Sequence, residues 1–151
     1  MGRIDYHSMG FLALLLISTV FLGCSRENNS QNTFCLEEFE AAMTDKGYNF
    51  EIKDVEQDFL PTTRNRMIID DIAIDIYIFN SDEKMESEAS NIDSSGYSYD
   101  NGSKALNVSW VSFPHFYKKG SLIVQYIGED ENIISALDDI LGEQFAGYTP
   151  K

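Results

Sequence analysis

Apolar residues fall along the chain in blocks whose spacing switches between helical and extended periods. From Phe34 to Met43, the positions Cys35, Leu36, Phe39, Ala42 and Met43 recur at intervals of three and four, with Glu37, Glu38 and Glu40 between them. This spacing predicts an amphipathic helix, with Thr33 as its N-cap and Gly47 as its left-handed stop. Tyr48, Phe50 and Ile52 then alternate with Asn49, Glu51 and Lys53, as a strand with one buried face requires. Residues 56–66 read as a loop through Phe59-Leu60-Pro61-Thr62-Thr63; strand propensity returns at Met67-Ile68-Ile69, and Asp70-Asp71 predicts a tight turn. From Ile72 to Phe79, four isoleucines at period two form one face, and Ala73, Asp75, Tyr77 and Phe79 the other, the strongest strand pattern in the chain.

Asn80 or Ser81 caps a second helix over 82–92, whose first turn holds Asp82 and Glu83, where the helix dipole favours negative charge. Residues 93–102 are rich in turn formers and predict a mobile loop. Two further strands are expected over 105–113 and 121–127, joined by Pro114-His115-Phe116-Tyr117-Lys118-Lys119-Gly120 as a hairpin connection. A last helix over 130–141 puts Ile133, Ile134, Leu137, Ile140 and Leu141 on one stripe and ends at Gly142. The order αβββαββα, with helices interspersed among hairpins, predicts an α+β two-layer sandwich: an antiparallel sheet of four to five strands with helices packed on one face. No repeat at solenoid spacing is present.

The first 24 residues follow a different pattern. Gly10 to Leu22 is a largely apolar run, short for a bilayer-spanning helix of about 20 residues and matched to the core of an export signal. Arg3 supplies the positive end, offset by Asp5, and the run closes on Gly23-Cys24. The composition then turns abruptly polar through Ser25-Arg26-Glu27-Asn28-Asn29-Ser30-Gln31-Asn32-Thr33, a flexible tether with nothing to bury.

Phe21-Leu22-Gly23-Cys24 resembles a lipobox, the signal at which bacterial lipoproteins are cleaved before a cysteine that carries diacylglycerol on its sulfur. Phe21 stands where Leu is usual and Leu22 where a small residue is usual. The resemblance extends into the C-terminal half, through Val108-Ser109-Trp110, Pro114-His115-Phe116-Tyr117-Lys118-Lys119-Gly120-Ser121-Leu122-Ile123-Val124-Gln125-Tyr126-Ile127-Gly128 and Leu141-Gly142-Glu143-Gln144-Phe145-Ala146-Gly147, which is similar to a group of small uncharacterised bacterial lipoproteins. The resemblance implies a location and brings no activity. It divides the chain into a signal peptide (1–23), a tether from lipidated Cys24 (24–33) and one α+β domain (34–148). The expected location is the cell membrane, lipid-anchored and facing outside the cytoplasm. Two or three acyl chains, at about 0.8 kcal/mol per buried methylene, make such attachment effectively permanent. With Cys24 acylated, Cys35 is left without a partner; beside Phe34, Leu36 and Phe39 it reads as a small buried hydrophobe.

Charge narrows the partners. The chain of 151 residues carries a formal net charge of -14, and the balance is unchanged when residues 1–23, which hold one Arg and one Asp, are set aside. Such a surface repels phosphate backbones and anionic headgroups, which argues against nucleic acid and leaves membrane attachment to the acyl anchor. A content of 43% hydrophobic and 13% aromatic residues is enough for one folded core.

Candidate chemistry is sparse. His115 is the only histidine beyond the signal segment, and with Trp110, Phe116, Tyr117, Lys118 and Lys119 it forms a candidate binding patch at a hairpin end. There the aromatics could stack on a ligand and the lysines attract an anionic group or an acidic partner. The alternative is that the aromatics close the end of the core while His115 bonds a backbone carbonyl. No acid–base pair, nucleophile elbow or phosphate-cradling glycine loop is present, so no catalytic residue is assigned. One His and one Cys cannot furnish a zinc site, and neither Asp93, Asp100 and Asn101 nor Asp70-Asp71 has EF-hand spacing. No cofactor or metal is expected. The sequence thus predicts a monomeric, non-enzymatic, lipid-anchored binding or accessory domain that meets an envelope protein or small ligand. A solute- or cation-binding lipoprotein is the alternative, with a small hydrolase using His115 after it.

Overall fold

The computed structural model describes residues 33–149. The signal segment, Cys24 and the tether up to residue 32 lie outside the described residues. Among the described residues no helix is long and apolar enough to cross a membrane.

Helix α1 (Leu36–Asp45) leads into a meander of β1 (Glu51–Val55), β2 (Thr63–Ile69) and β3 (Ile72–Ile78), followed by α2 (Asp82–Ala89). A small hairpin of β4 (Ser98–Asp100) and β5 (Ala105–Asn107) comes next, then the long hairpin of β6 (Pro114–Lys119) and β7 (Leu122–Ile127), helix α3 (Glu131–Leu141) and a two-residue strand β8 (Ala146–Gly147). The main sheet has six strands in the order β1-β2-β3-β7-β6-β8, and every pairing in it is antiparallel. The α+β class and the antiparallel sheet are those the patterning predicts.

The arrangement of layers differs from the expected sandwich. Ile74 and Ile76 of β3, Leu122, Val124 and Tyr126 of β7 and Tyr117 of β6 pack with Phe39 and Met43 of α1 and Ile133 and Leu137 of α3. Residues one register step away, Tyr77, Phe116 and Ile123, pack on the opposite face with Phe59, Leu60, Met85 and Ala89 of α2, and Tyr99. Helices therefore cover both faces, and the domain has three layers rather than two. The reason is visible in β3, where Tyr77 is as fully buried as Ile74 and Ile76: a central strand apolar on both sides needs cover on both sides.

Local differences have equally specific causes. The N-cap of α1 is Cys35, whose N–H donates to Glu38 Oε2 at 3.0 Å, and not Thr33. The preceding Phe34 is held against the β6–β7 turn, its carbonyl accepting from Ser121 N at 3.1 Å. Gly120 sits in that turn at φ +56°, and a Cβ there would collide with the Phe34 backbone, so glycine is required twice over. Gly47, at φ +88°, ends α1 as expected. Cys35 is half-buried and disulfide-bonded, which corrects the expectation of a partnerless buried thiol.

The segment Pro114–Lys119, expected as the hairpin connection, is itself strand β6, and the turn is reduced to Gly120-Ser121 between Lys119 and its partner Leu122. Proline is tolerated because it is the first residue of the strand. Residues 108–113, expected as strand, lie outside any strand. The 93–102 stretch is anchored by fully buried Tyr99 and by Asp93, whose carboxylate accepts from Ser95 N at 3.0 Å and Ser98 N at 2.5 Å.

Candidate functional site

Because side chains alternate along β6, the six residues of the expected patch cannot share one surface. Phe116 is fully buried on the α2 face, its ring 5.6 Å from Phe59, 6.4 Å from Trp110 and 6.3 Å from Phe145. Trp110 is tied down by its indole N–H, which donates to Gly96 O at 2.8 Å. Lys118 on that face pairs with Glu86 and lies 5.4 Å from the Phe145 ring centroid. On the other face, Lys119 donates to Ile140 O at 2.6 Å, satisfying a carbonyl of the last turn of α3, and lies over the Phe34 ring. Only His115 and Tyr117 reach a common cavity.

That cavity is an open cleft of about 770 Å³ between α3, the start of β6 and the C-terminal segment that folds back across it. Its floor is a polar cage around the buried His115. Gln144 Nε2 donates to Tyr148 O at 2.6 Å, which turns its Oε1 toward His115 Nδ1 at 2.8 Å. The other ring nitrogen, Nε2, is 3.2 Å from Gly128 O. Both ring nitrogens thus face oxygen atoms, which fixes the plane and orientation of the imidazole. Gly128 is placed by a tight approach: a Cβ there would strike the Tyr126 hydroxyl, which accepts from Asp130 N at 3.1 Å where α3 begins.

The walls combine aromatic and acidic groups. Phe113 and Tyr148 stack with ring centroids 3.8 Å apart. Glu131, Ser135 and Asp138 line one wall from α3, Glu129 and Glu143 contribute from the flanking loops, and among the described residues no Lys or Arg lines the cleft. Tyr117 is fully buried in the opposite wall, and its hydroxyl has no hydrogen-bond partner within 3.5 Å. Burial foremost, and then the charge of Asp138 and its longer-range pull on the phenol proton, push this group well above the usual tyrosine range.

The other polar clusters are held together by their own ion pairs and hydrogen bonds and read as structural. Arg64 bridges Asp58 and Asp75, Arg66 grips Asp75 at 2.7 and 2.8 Å, and Tyr77 donates to Asp58 at 2.8 Å. On the α2 face, Tyr99 donates to buried Glu88 at 2.5 Å, and Lys84 to the same carboxylate at 2.6 Å. Among the described residues no group of three His, Cys, Asp or Glu side chains converges as a metal would need.

Sequence reasoning found His115 and Tyr117 but missed Phe113, Glu129, Glu131, Asp138, Glu143, Gln144 and Tyr148. Part of the signal was there, since Glu131, Ser135 and Asp138 fall at i, i+4 and i+7, one polar stripe beside the apolar one. That the C-terminal segment crosses in front of this stripe depends on β8 pairing with β6, two residue pairs long. Searches against protein-family models, curated proteins and solved structures find no match to this chain.

Proposed function

We propose that the protein is a lipid-anchored, extracytoplasmic lipoprotein whose folded domain acts by binding, without catalysis, and that the cleft above His115 is the surface it offers. The observation that carries this reading is the apolar run from Gly10 to Leu22 closing on Gly23-Cys24 and followed at once by a polar tract, the layout of an export signal with a cysteine to be acylated. The charge of -14 supports an acyl attachment over an electrostatic one. A cleft of this size, with aromatic walls and a few convergent polar groups, fits a ligand or a short segment of an envelope protein.

Cys35 favours a second reading of the N-terminus. A disulfide at Cys35 belongs to an oxidising compartment, which agrees with export. The chain has only two cysteines, however, and a Cys24 bonded to Cys35 cannot also carry diacylglycerol. The second reading is therefore an exported, disulfide-stapled domain without a lipid anchor. Intact-mass analysis of the protein from its native host, with and without reductant, separates the two. The lipoprotein reading expects a chain that begins at Cys24, carries the mass of acyl chains, partitions into the membrane fraction and is released by Cys24→Ala. A mass that rises by two hydrogens on reduction, with no acyl increment, would establish the second reading and remove the first.

A further inference from the structure

The cleft combines three features that bear on what it can bind. Four carboxylates, Glu129, Glu131, Asp138 and Glu143, line it with no Lys or Arg among the described lining residues, so its described lining is acidic. Their spread around the rim matters as much as their number, because no three of the described acidic, His or Cys side chains converge to chelate one ion. The charge suits an extended cation with separated positive centres better than a metal. Second, the fully buried Tyr117 hydroxyl lines the cleft without a hydrogen-bond partner. A ligand donor that reaches this oxygen supplies the close hydrogen bond it lacks. Third, the stacked Phe113 and Tyr148 rings give the mouth an apolar surface on which methylenes can lie.

We propose that this cleft binds an aliphatic oligoamine, with one terminal ammonium donating to the Tyr117 hydroxyl beside Asp138, the methylene chain against Phe113 and Tyr148, and the remaining ammonium groups meeting the rim carboxylates. The inference rests on the binding reading given above and names the ligand class for it; it does not depend on the lipid anchor. An ammonium is preferred to a quaternary cation because the tyrosine oxygen needs an N–H to accept. With its own proton directed to the Asp138 side, that oxygen keeps lone pairs for the ligand.

The experiment is isothermal titration calorimetry of the full-length protein in detergent with spermidine. Tetramethylammonium chloride and magnesium chloride at matched ionic strength test hydrogen bonding and diffuse charge. Saturable one-site binding of spermidine is expected, with no comparable isotherm for either control. Tyr117→Phe and Asp138→Asn should each weaken spermidine about tenfold, the loss of one charge-assisted hydrogen bond or ion pair. Glu86→Asn, which removes a carboxylate on the opposite face, should leave it unchanged. Asp138 is exposed, so its substitution is not expected to disturb the core, and the thermal melt of each variant checks this. Equal responses to magnesium and spermidine would reduce the effect to diffuse charge and overturn the proposal, as would a Tyr117→Phe protein that binds spermidine like the parent. Crosslinking on intact cells keeps the two levels apart. A specific envelope neighbour captured at the cleft, with spermidine silent, would remove the amine and leave the binding reading standing, whereas neighbours confined to the cytosol would remove that reading itself.

Discussion

The α1/α3 face of the sheet is mainly aliphatic, built from isoleucine, leucine and methionine around Phe39, whereas the α2 face is built on rings: Phe59, Tyr77, Phe79, Tyr99 and Phe116, with Trp110 and Phe145 at the margin. On the first face two helices with long apolar stripes supply the cover. On the second, α2 is short, and much of the cover comes from irregular chain pinned by single hydrogen bonds such as Trp110 to Gly96. An aliphatic stripe on a regular helix packs by repetition, while irregular chain needs large rings and specific polar ties to fill the same space. The open cleft belongs to the regular face, at its edge, between α3, the start of β6 and the C-terminal segment.

The largest effects should come from removing one large side chain on each face. Phe116→Ala empties the centre of the ring cluster and is expected to cost about 3–5 kcal/mol, and Leu137→Ala in α3 about 2–5 kcal/mol, both read by urea unfolding. Each should still unfold in one transition, since both faces share β3, β6 and β7. Loss of the Trp110 near-ultraviolet signal before the far-ultraviolet signal in Phe116→Ala would show instead that the ring layer melts by itself.

A smaller effect distinguishes the two buried tyrosines on opposite sides of the sheet. Tyr77 donates to Asp58 and Tyr117 to nothing within 3.5 Å, so Tyr77→Phe should cost about 1 kcal/mol while Tyr117→Phe stays within about 0.5 kcal/mol of the parent without ligand. Equal losses at both positions would mean that the Tyr117 hydroxyl is already satisfied in the free protein.

The α2 face should also be the acid-sensitive one. Burial alone would raise the Glu88 carboxyl, but hydrogen bonds from Lys84, Tyr99 and Asn91 outweigh it and hold the group below its ordinary value of 4.5. A depressed carboxyl stabilises the fold above its unfolded pKa and loses that contribution as pH falls through the folded value. Stability of the parent should therefore decline below about pH 4.5 more steeply than that of Glu88→Gln. Coincident curves would show that the Glu88 charge does not support this face. The same carboxylate and burial push Tyr99 up to about 12, so its phenol should stay protonated when exposed tyrosines titrate in an alkaline absorbance scan.

Patterning and structure agree where periodicity is long and unambiguous. Helix α3, capped by Asp130 and stopped at Gly142, and the Ile-rich β3 with its Asp70-Asp71 turn were legible because each turns a regular row of aliphatic residues to the same core cluster. The segment Pro114–Lys119 was misread because proline and a following glycine imitate a loop, and only pairing with β7 and β8 shows it to be a strand. His115 and Tyr117 stood out by residue type. Their separation from Phe116 and Lys118 followed from that strand assignment, since a period of two sends neighbours to opposite faces.

By itself, the sequence determined the class of the fold, most of its helices and its acidic charge. These depend on composition and short-range periodicity, which each segment carries alone. Only the tertiary structure decided that helices cover both faces, that the C-terminal segment folds across α3, and that the Tyr117 hydroxyl is buried beside Asp138. Those outcomes arise from contacts between residues far apart in the chain, whose free energy exists only once the strands between them have found their register.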